Sequence, residues 1–221
     1  RQVPQPAFFE HLIMSRTGSS FARSPARFRP QPTVLIICED RVSSYNYLSR
    51  AAQHFRASAI VEINHCGKTD PKGITEHALK RSKDYNQVYC VIDRDTHKNF
   101  HEARALAAAS KNKVTLVISN PCFEYWLILH FSFTRKGYRS VGSQSAGDKA
   151  LKELLAIKQM AEYEKGQTKG LFDVLLPHLP TAEKHALASL KDAENCGEYN
   201  PSTQIHLLLD DFRKLAGPTK V

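Results

Sequence analysis

Three carboxylates stand where apolar runs end. Glu39 follows VLIIC (34–38), and Asp93 and Asp95 follow QVYCVI (87–92). In an open parallel sheet the carboxyl ends of the strands face the crevice where ligands bind. One residue separates the two aspartates, so on an extended chain their side chains leave on the same side. If the first and third strands are neighbours, Glu39 meets that pair. Three hard oxygen donors in one cleft suit Mg²⁺ or Mn²⁺, which would hold phosphate oxygens and activate water. Alternatively, the three acids simply face solvent at strand ends. Glu124 joins them if a helix begins directly after a fourth strand, since its first turn then reaches the same crevice. There it serves as a further ligand or a general base, or as no more than a helix cap. His97 and Lys98, just after the aspartates, either offset a phosphate charge or are ordinary loop residues. Cys122 and His130 lie about two helical turns apart, so Cys122 reads as a small buried apolar group and not as a nucleophile.

The elements that must position these groups alternate in type. VLIIC is short, apolar and β-branched, the pattern of a strand buried on both faces. A helix over Tyr45–Phe55 follows, with a hydroxyl of Ser43 or Ser44 as its cap. AIVEIN (59–64) is the second strand. Asp70 and Pro71, at the end of GKTDP (67–71), predict a capped helix start. QVYCVI is the third strand, FHEARALAAASKNK (100–113) an Ala-rich helix, and VTLVIS (114–119) the fourth strand. Pro121 then stops a central strand, and a helix can begin near Cys122. Strands alternating with helices predict a mostly parallel sheet covered on both faces. Beyond Arg135 strand signals fade. Residues 135–147 read as a Gly/Ser-rich loop or lid, and helices are expected over 148–164, 182–190 and 204–215, the last capped by Thr203.

Lys and Arg number 31 against 22 Asp and Glu, a formal charge of +9, which favours a polyanionic partner and excludes an acidic scaffold. Arg135, Lys136 and Arg139, interleaved with Phe131, Phe133 and Tyr138, form either a stacking and phosphate surface or the rim of a core. Residues 1–32 include Arg16, Arg23, Arg27 and Arg29 among prolines and serines and read as a flexible basic arm. No apolar run approaches the length of about 20 residues that a membrane span needs, and no signal peptide is read at the start. Five dispersed cysteines without a CxxC pair fit a reducing, cytoplasmic setting and exclude a disulfide framework or zinc finger. GKTDP is not GxxxxGK[ST], and GxGxxG, GxSxG and HExxH are absent, so ATPase, dinucleotide, serine-hydrolase and zincin chemistries are not indicated.

A strand ending in Glu and a later one ending in Asp-x-Asp resemble the TOPRIM domain of topoisomerases, primases and overcoming-lysogenization-defect nucleases. From Val34 to Leu209 the chain more closely resembles the RloB family, a bacterial TOPRIM-like group often encoded beside an ATPase in phage-defence or restriction loci. The resemblance rests on VLIICE (34–39), GKTDP (67–71), VYCVIDRD (88–95), ISNPCFEYWLILHF (118–131), YEKG (163–166) and NPSTQIHLLL (200–209). It implies that Glu39 is the TOPRIM glutamate, that Asp93 and Asp95 hold Mg²⁺, and that Asn120 and Glu124 belong to the family signature. Lys165, in YEKG, joins the implied phosphate contacts. Where the family continues as Gly-Glu-x-Thr-Glu-Pro after its glutamate, this chain has Asp40, Arg41, Val42, Ser43, Ser44 and Tyr45. The glycine and two further carboxylates are replaced, which bears on metal affinity and substrate.

The expectation is therefore an α/β protein: a TOPRIM-like, mostly parallel four-stranded sheet flanked by helices over 33–134, after the arm 1–32 and before a helical extension 135–221 packed on the same domain. Its catalytic residues are Glu39, Asp93, Asp95 and Glu124, the first three binding Mg²⁺ or Mn²⁺. His97, Lys98, Asn120, Arg135, Lys136, Arg139 and Lys165 contact phosphate or substrate. The function implied is a metal-dependent endonuclease on DNA or RNA, tRNA among the targets, serving as the effector of an antiphage or abortive-infection system with an ABC- or SMC-like ATPase partner. The chain is expected to avoid membranes and can self-associate. The alternatives are an inactive TOPRIM-like subunit that binds nucleic acid or its partner, and phosphate-ester chemistry on a small nucleotide, for which a closed mononucleotide pocket would speak.

Overall fold

The computed structural model describes residues 33–94, 97–165 and 170–215. The basic arm 1–32, and Asp95, lie outside the described residues.

Alternation of side chains along the strands divides the molecule into two cores. Strand β1 (Val34–Cys38) is buried throughout. Its Val34, Ile36 and Cys38 enter one apolar cluster, and Leu35 and Ile37 enter another, as a period of two demands. Strands β2 (Val61–Asn64), β3 (Gln87–Asp93) and β4 (Val114–Asn120) lie parallel to it, in the order β2-β1-β3-β4. Helices α2 (Pro71–Arg81) and α3 (Phe100–Ala109) cover one face, burying Ile74, Ala78 and Ala107 against Leu35, Ile37 and Ile92. Helix α1 (Ser43–His54) covers the other through Tyr47, Leu48 and Ala51.

That second face carries the larger core. Helices α4 (Glu124–Ile128), α5 (Ala146–Leu155), α6 (Leu171–Leu175), α7 (Leu179–Cys196) and α8 (Ile205–Leu215) pack there. Trp126, Leu154, Phe172, Leu179, Leu208 and Phe212 share one cluster with Val34, Ile36 and Val117. The C-terminal helices therefore build the same core as the sheet.

Several boundaries differ from the sequence reading. The sheet has a fifth strand, β5 (Ser202–Thr203), antiparallel to β4 through Ser119↔Thr203 and Asn120↔Ser202. Two residues carry no periodic signature, so only their pairing reveals them. The cap of α1 is not a hydroxyl. Asp40 accepts from the amides of Val42 (2.8 Å) and Ser44 (3.0 Å) and from the Ser44 hydroxyl. Helix α3 stops at Ala109, because Lys111 and Asn112 turn back with positive φ. Helix α5 starts earlier and ends earlier than expected, set by a Ser145–Asp148 capping box and by extended backbone at Ile157. Helix α7 runs longer, to a left-handed Gly197 whose N–H reaches Ala193 O at 2.9 Å.

The 135–147 segment is fastened at its start and is not a free lid. Arg135 bonds Asp192 (2.8 Å), the carbonyl of Glu198 (2.8 Å) and the carbonyl of Pro201, and the buried Tyr138 donates its N–H to Asn200 Oδ1 at 3.1 Å. All five cysteines are unpaired thiols. Among the described residues no helix is long and apolar enough to cross a membrane.

Candidate active site

β1 and β3 are direct neighbours, with Cys38 opposite Val91. This register delivers Glu39 to the end of β3. Its N–H bonds Val91 O at 3.0 Å, and its Oε2 accepts from the Asp93 amide at 3.0 Å. Oε1 lies 2.9 Å from His97 Nε2. An ionised carboxylate can only accept, so His97 Nε2 carries the proton in that contact. Both oxygens of Glu39 are thus oriented by the protein, and each keeps a lone pair for a further partner.

Asp93 has the parity of Val91 and so leaves β3 toward the face where α4 begins. α4 starts at this place because Pro121 ends β4 at Asn120 and the chain turns at once into the apolar run Phe123–Leu129. Glu124 is its first residue and is only 2% exposed. Glu124 Oε1 accepts from Lys165 Nζ at 3.2 Å and from the Tyr163 hydroxyl at 3.3 Å, while Oε2 is buried without a hydrogen-bond partner. The same Tyr163 hydroxyl lies 3.1 Å from Ser43 Oγ, so its one proton is shared between Glu124 and Ser43, and Ser43 Oγ donates to the Lys165 carbonyl at 3.3 Å. Residues 163–165 are thereby held across the start of α1 and α4.

The electrostatics follow from this crowding. Burial pushes the Asp93 carboxyl well above its ordinary range, and Glu39, Glu124 and Asp40 push it further, with Lys165 opposing. Burial also raises Glu39, against the stabilising Asp93 amide and His97. Partial burial works against the charge of Lys165, yet Glu124 and neighbouring groups including Asp93 hold its ammonium pKa above the usual value. The Cys122 thiol is raised by burial and by Glu124 and Asp93, which makes it inert. His130 is buried, bonded to Trp126 O at 3.1 Å and lowered to about 4 by desolvation, a neutral core histidine.

Glu39 and Glu124 therefore both press on Asp93, with Lys165 the one opposing ammonium among the described residues. An orphaned buried carboxylate oxygen and mutually repelling acids are what a small divalent cation would relieve, so the donor set fits Mg²⁺ or Mn²⁺. Among the described residues no three His, Cys, Asp or Glu groups already stand at coordinating distances of one point; the second aspartate of the Asp-x-Asp pair is outside that set.

The remaining sequence-selected residues divide. His97 is held on Glu39, and Asn120 ends β4 beside Ser119, the partner of Asp93. Lys98 is exposed in the turn before α3. Lys165 is spent on Glu124, although its side chain stays 56% exposed. Arg135 is committed to α7 and the 198–201 turn, whereas Lys136 and Arg139 are exposed and make no ion pair among the described residues. Asp40, Ser43 and Tyr163 were missed as contributors to the site. Asp40 stands where the family pattern has glycine, yet its charge reaches both Glu39 and Asp93. The GKTDP segment supplies structure: Asp70 caps α2 at Gly73 N (2.8 Å) and accepts from Asn99 Nδ2 (2.6 Å), tying α2 to the turn that carries His97.

The sequence model of a protein family described as RloB-like protein matches residues 34–212. No curated protein and no solved structure matches the chain.

Proposed function

The chain belongs to the RloB-like family, and from that premise we propose that it is a Mg²⁺- or Mn²⁺-dependent endonuclease with a TOPRIM-like catalytic face. One observation carries the reading. Glu39 and Glu124, from two other elements, both come close enough to Asp93 to raise its carboxyl, and Glu124 Oε2 is left unbonded. Asp93, Asp95 and Glu124 would hold the ion, with Glu39 beside them. When bound, the ion supplies Lewis acidity, which lowers the pKa of a water and offsets phosphate charge.

The chain's own groups do the rest. Glu39, fixed by His97 and by the Asp93 amide, takes the proton of the attacking water. The water oxygen bonds to phosphorus, the phosphorus–oxygen bond to the leaving group breaks, and that oxygen is protonated from solvent. Lys165 is the cation already beside the acids for the phosphate, and the exposed Lys98 in the turn before α3 is the second candidate. Lys165 reaches it by leaving Glu124, which its exposure permits. The net charge of +9 fits a nucleic-acid substrate. We place the enzyme in antiphage defence beside an ATPase partner, on the family resemblance.

The test is a cleavage screen on single- and double-stranded DNA and on tRNA, with Mg²⁺ or Mn²⁺, with and without the ATPase encoded alongside. Cutting that needs metal and disappears in the Asp93→Ala/Asp95→Ala variant supports the nuclease. Equal behaviour of variant and wild type under every condition refutes it. A binding subunit without chemistry is the second reading, favoured by the Lys165–Glu124 pair and by the contacts that already hold both oxygens of Glu39. Against it, neither Arg41 nor Arg94 forms an ion pair with these acids among the described residues; Arg94 lies over the Phe100 ring at 4.3 Å.

A further inference from the structure

The end of β3 separates two sites. Asp93 faces α4, and the next residue, Arg94, faces α3, where its guanidinium rests on Phe100. On the Arg94 side opens a cleft of about 420 Å³, within the range of roughly 300–1,000 Å³ typical of small-ligand pockets. Its walls differ in chemistry. The wall from β3 and α3 presents Arg94, His101 and Arg104; the facing wall, from the end of α7 and the turn after it, presents Glu194, Glu198 and Tyr199. Asn120, at the end of β4, also lines it. Neither arginine is paired with either glutamate, or with any acid among the described residues. Tyr199 is 48% exposed, so its ring face is open to the cleft.

We propose that this cleft is a nucleotide subsite, receiving one unpaired nucleotide that flanks the scissile phosphate. The inference rests on the nuclease reading above and names the substrate class, nucleic acid with an unpaired nucleotide at the cut. The basic wall fits a phosphate, through guanidinium hydrogen bonds. The opposite wall fits a base: Tyr199 provides a stacking face, and Glu194 or Glu198 accepts from exocyclic amino groups, which phosphates lack. A cleft of this size takes one splayed nucleotide and not a duplex. Because Arg94 follows Asp93 directly, a strand seated here crosses the end of β3 and brings its neighbouring phosphate to the carboxylates.

The experiment is calorimetric titration of the full chain in EDTA with nucleoside 5′-monophosphates, inorganic phosphate and free nucleosides, beside Arg104→Glu and Tyr199→Ala. Both positions are exposed, and matching thermal melts establish that the variants fold. The expected result is saturable binding of a monophosphate, weakened about tenfold or more by Arg104→Glu and also by Tyr199→Ala, with phosphate or nucleoside alone much weaker. Absence of monophosphate binding, binding indifferent to Arg104→Glu, or phosphate binding as tightly as the nucleotide overturns the subsite. Chelation keeps the two readings apart. Metal-dependent cutting without nucleotide binding refutes the subsite alone, and nucleotide binding without any metal-dependent cutting leaves a nucleotide-binding cleft but refutes the nuclease and with it the cleft's place beside a scissile phosphate.

Discussion

Replacing Asp93 by Asn should make the metal-free protein more stable and remove its response to Mg²⁺. The aspartate is desolvated and faces Glu39, Glu124 and Asp40, with only Lys165 in opposition. Each tenfold by which such a site disfavours the ionised form is worth about 1.4 kcal/mol. Asparagine keeps the shape and relieves that penalty. The metal term can be worked separately. A ligand present at about ten times its Kd stabilises the folded state by RT ln 11, about 1.4 kcal/mol. For a chain of this size that corresponds to roughly 3–6 °C in melting temperature. Thermal melts with EDTA and with saturating Mg²⁺, at one pH and constant ionic strength, read both effects. Wild type should rise by that amount with Mg²⁺, while Asp93→Asn should start higher and hardly move. If Asp93→Asn melts below wild type in EDTA and gains as much from Mg²⁺, the carboxylates neither repel one another nor hold the ion.

Other consequences follow from the same contacts. The raised pKa of Asp93 means that the folded state retains a proton which the unfolded chain gives up near pH ~3.9. The penalty is absent below that point and complete above the raised pKa, so the melting gap between Asp93→Asn and wild type should be wider at pH 8 than at pH 5 in EDTA; a constant gap contradicts this. Lys165→Met takes the only ion-pair partner among the described residues from the buried Glu124 and should cost about 1–2 kcal/mol in urea unfolding, a loss that Glu124→Gln in the same chain should largely restore. Asp70→Ala removes the α2 cap and the Asn99 link, for a loss of about 1–2 kcal/mol by the same measurement. Arg135→Ala should lower the urea midpoint, because the link that holds Asp192 and the carbonyls of Glu198 and Pro201 together is lost, whereas the exposed Arg139→Ala should leave it unchanged and affect only nucleic-acid affinity.

Local pattern carried much of the architecture. Continuous apolar runs are legible as strands because a doubly covered parallel sheet buries both faces of each, and β1 begins and ends where its run does. Asp70 and Pro71 marked the start of α2 through cap chemistry that needs no tertiary contact. Helix ends were less legible. Ala109 and Leu155 terminate helices whose composition would have continued them, and the reasons lie in backbone turns just beyond. The two-residue β5 exists only as a partner of β4.

The site divides along the same line. Acids after apolar runs determined, by sequence alone, that Glu39 and Asp93 sit at strand ends, since a strand that stops being apolar is leaving the core. Whether they meet depended on the order β2-β1-β3-β4, which only the packed sheet decides. Tertiary structure alone placed Lys165 and Tyr163 on Glu124, bringing them from a segment about forty residues further along the chain. It also committed Arg135 to holding the 198–201 turn and left Arg94 and Arg104 open to a cleft. A basic residue looks the same in sequence whether it faces a ligand or braces a turn. Its role is set by which acids, carbonyls and rings the fold brings within reach.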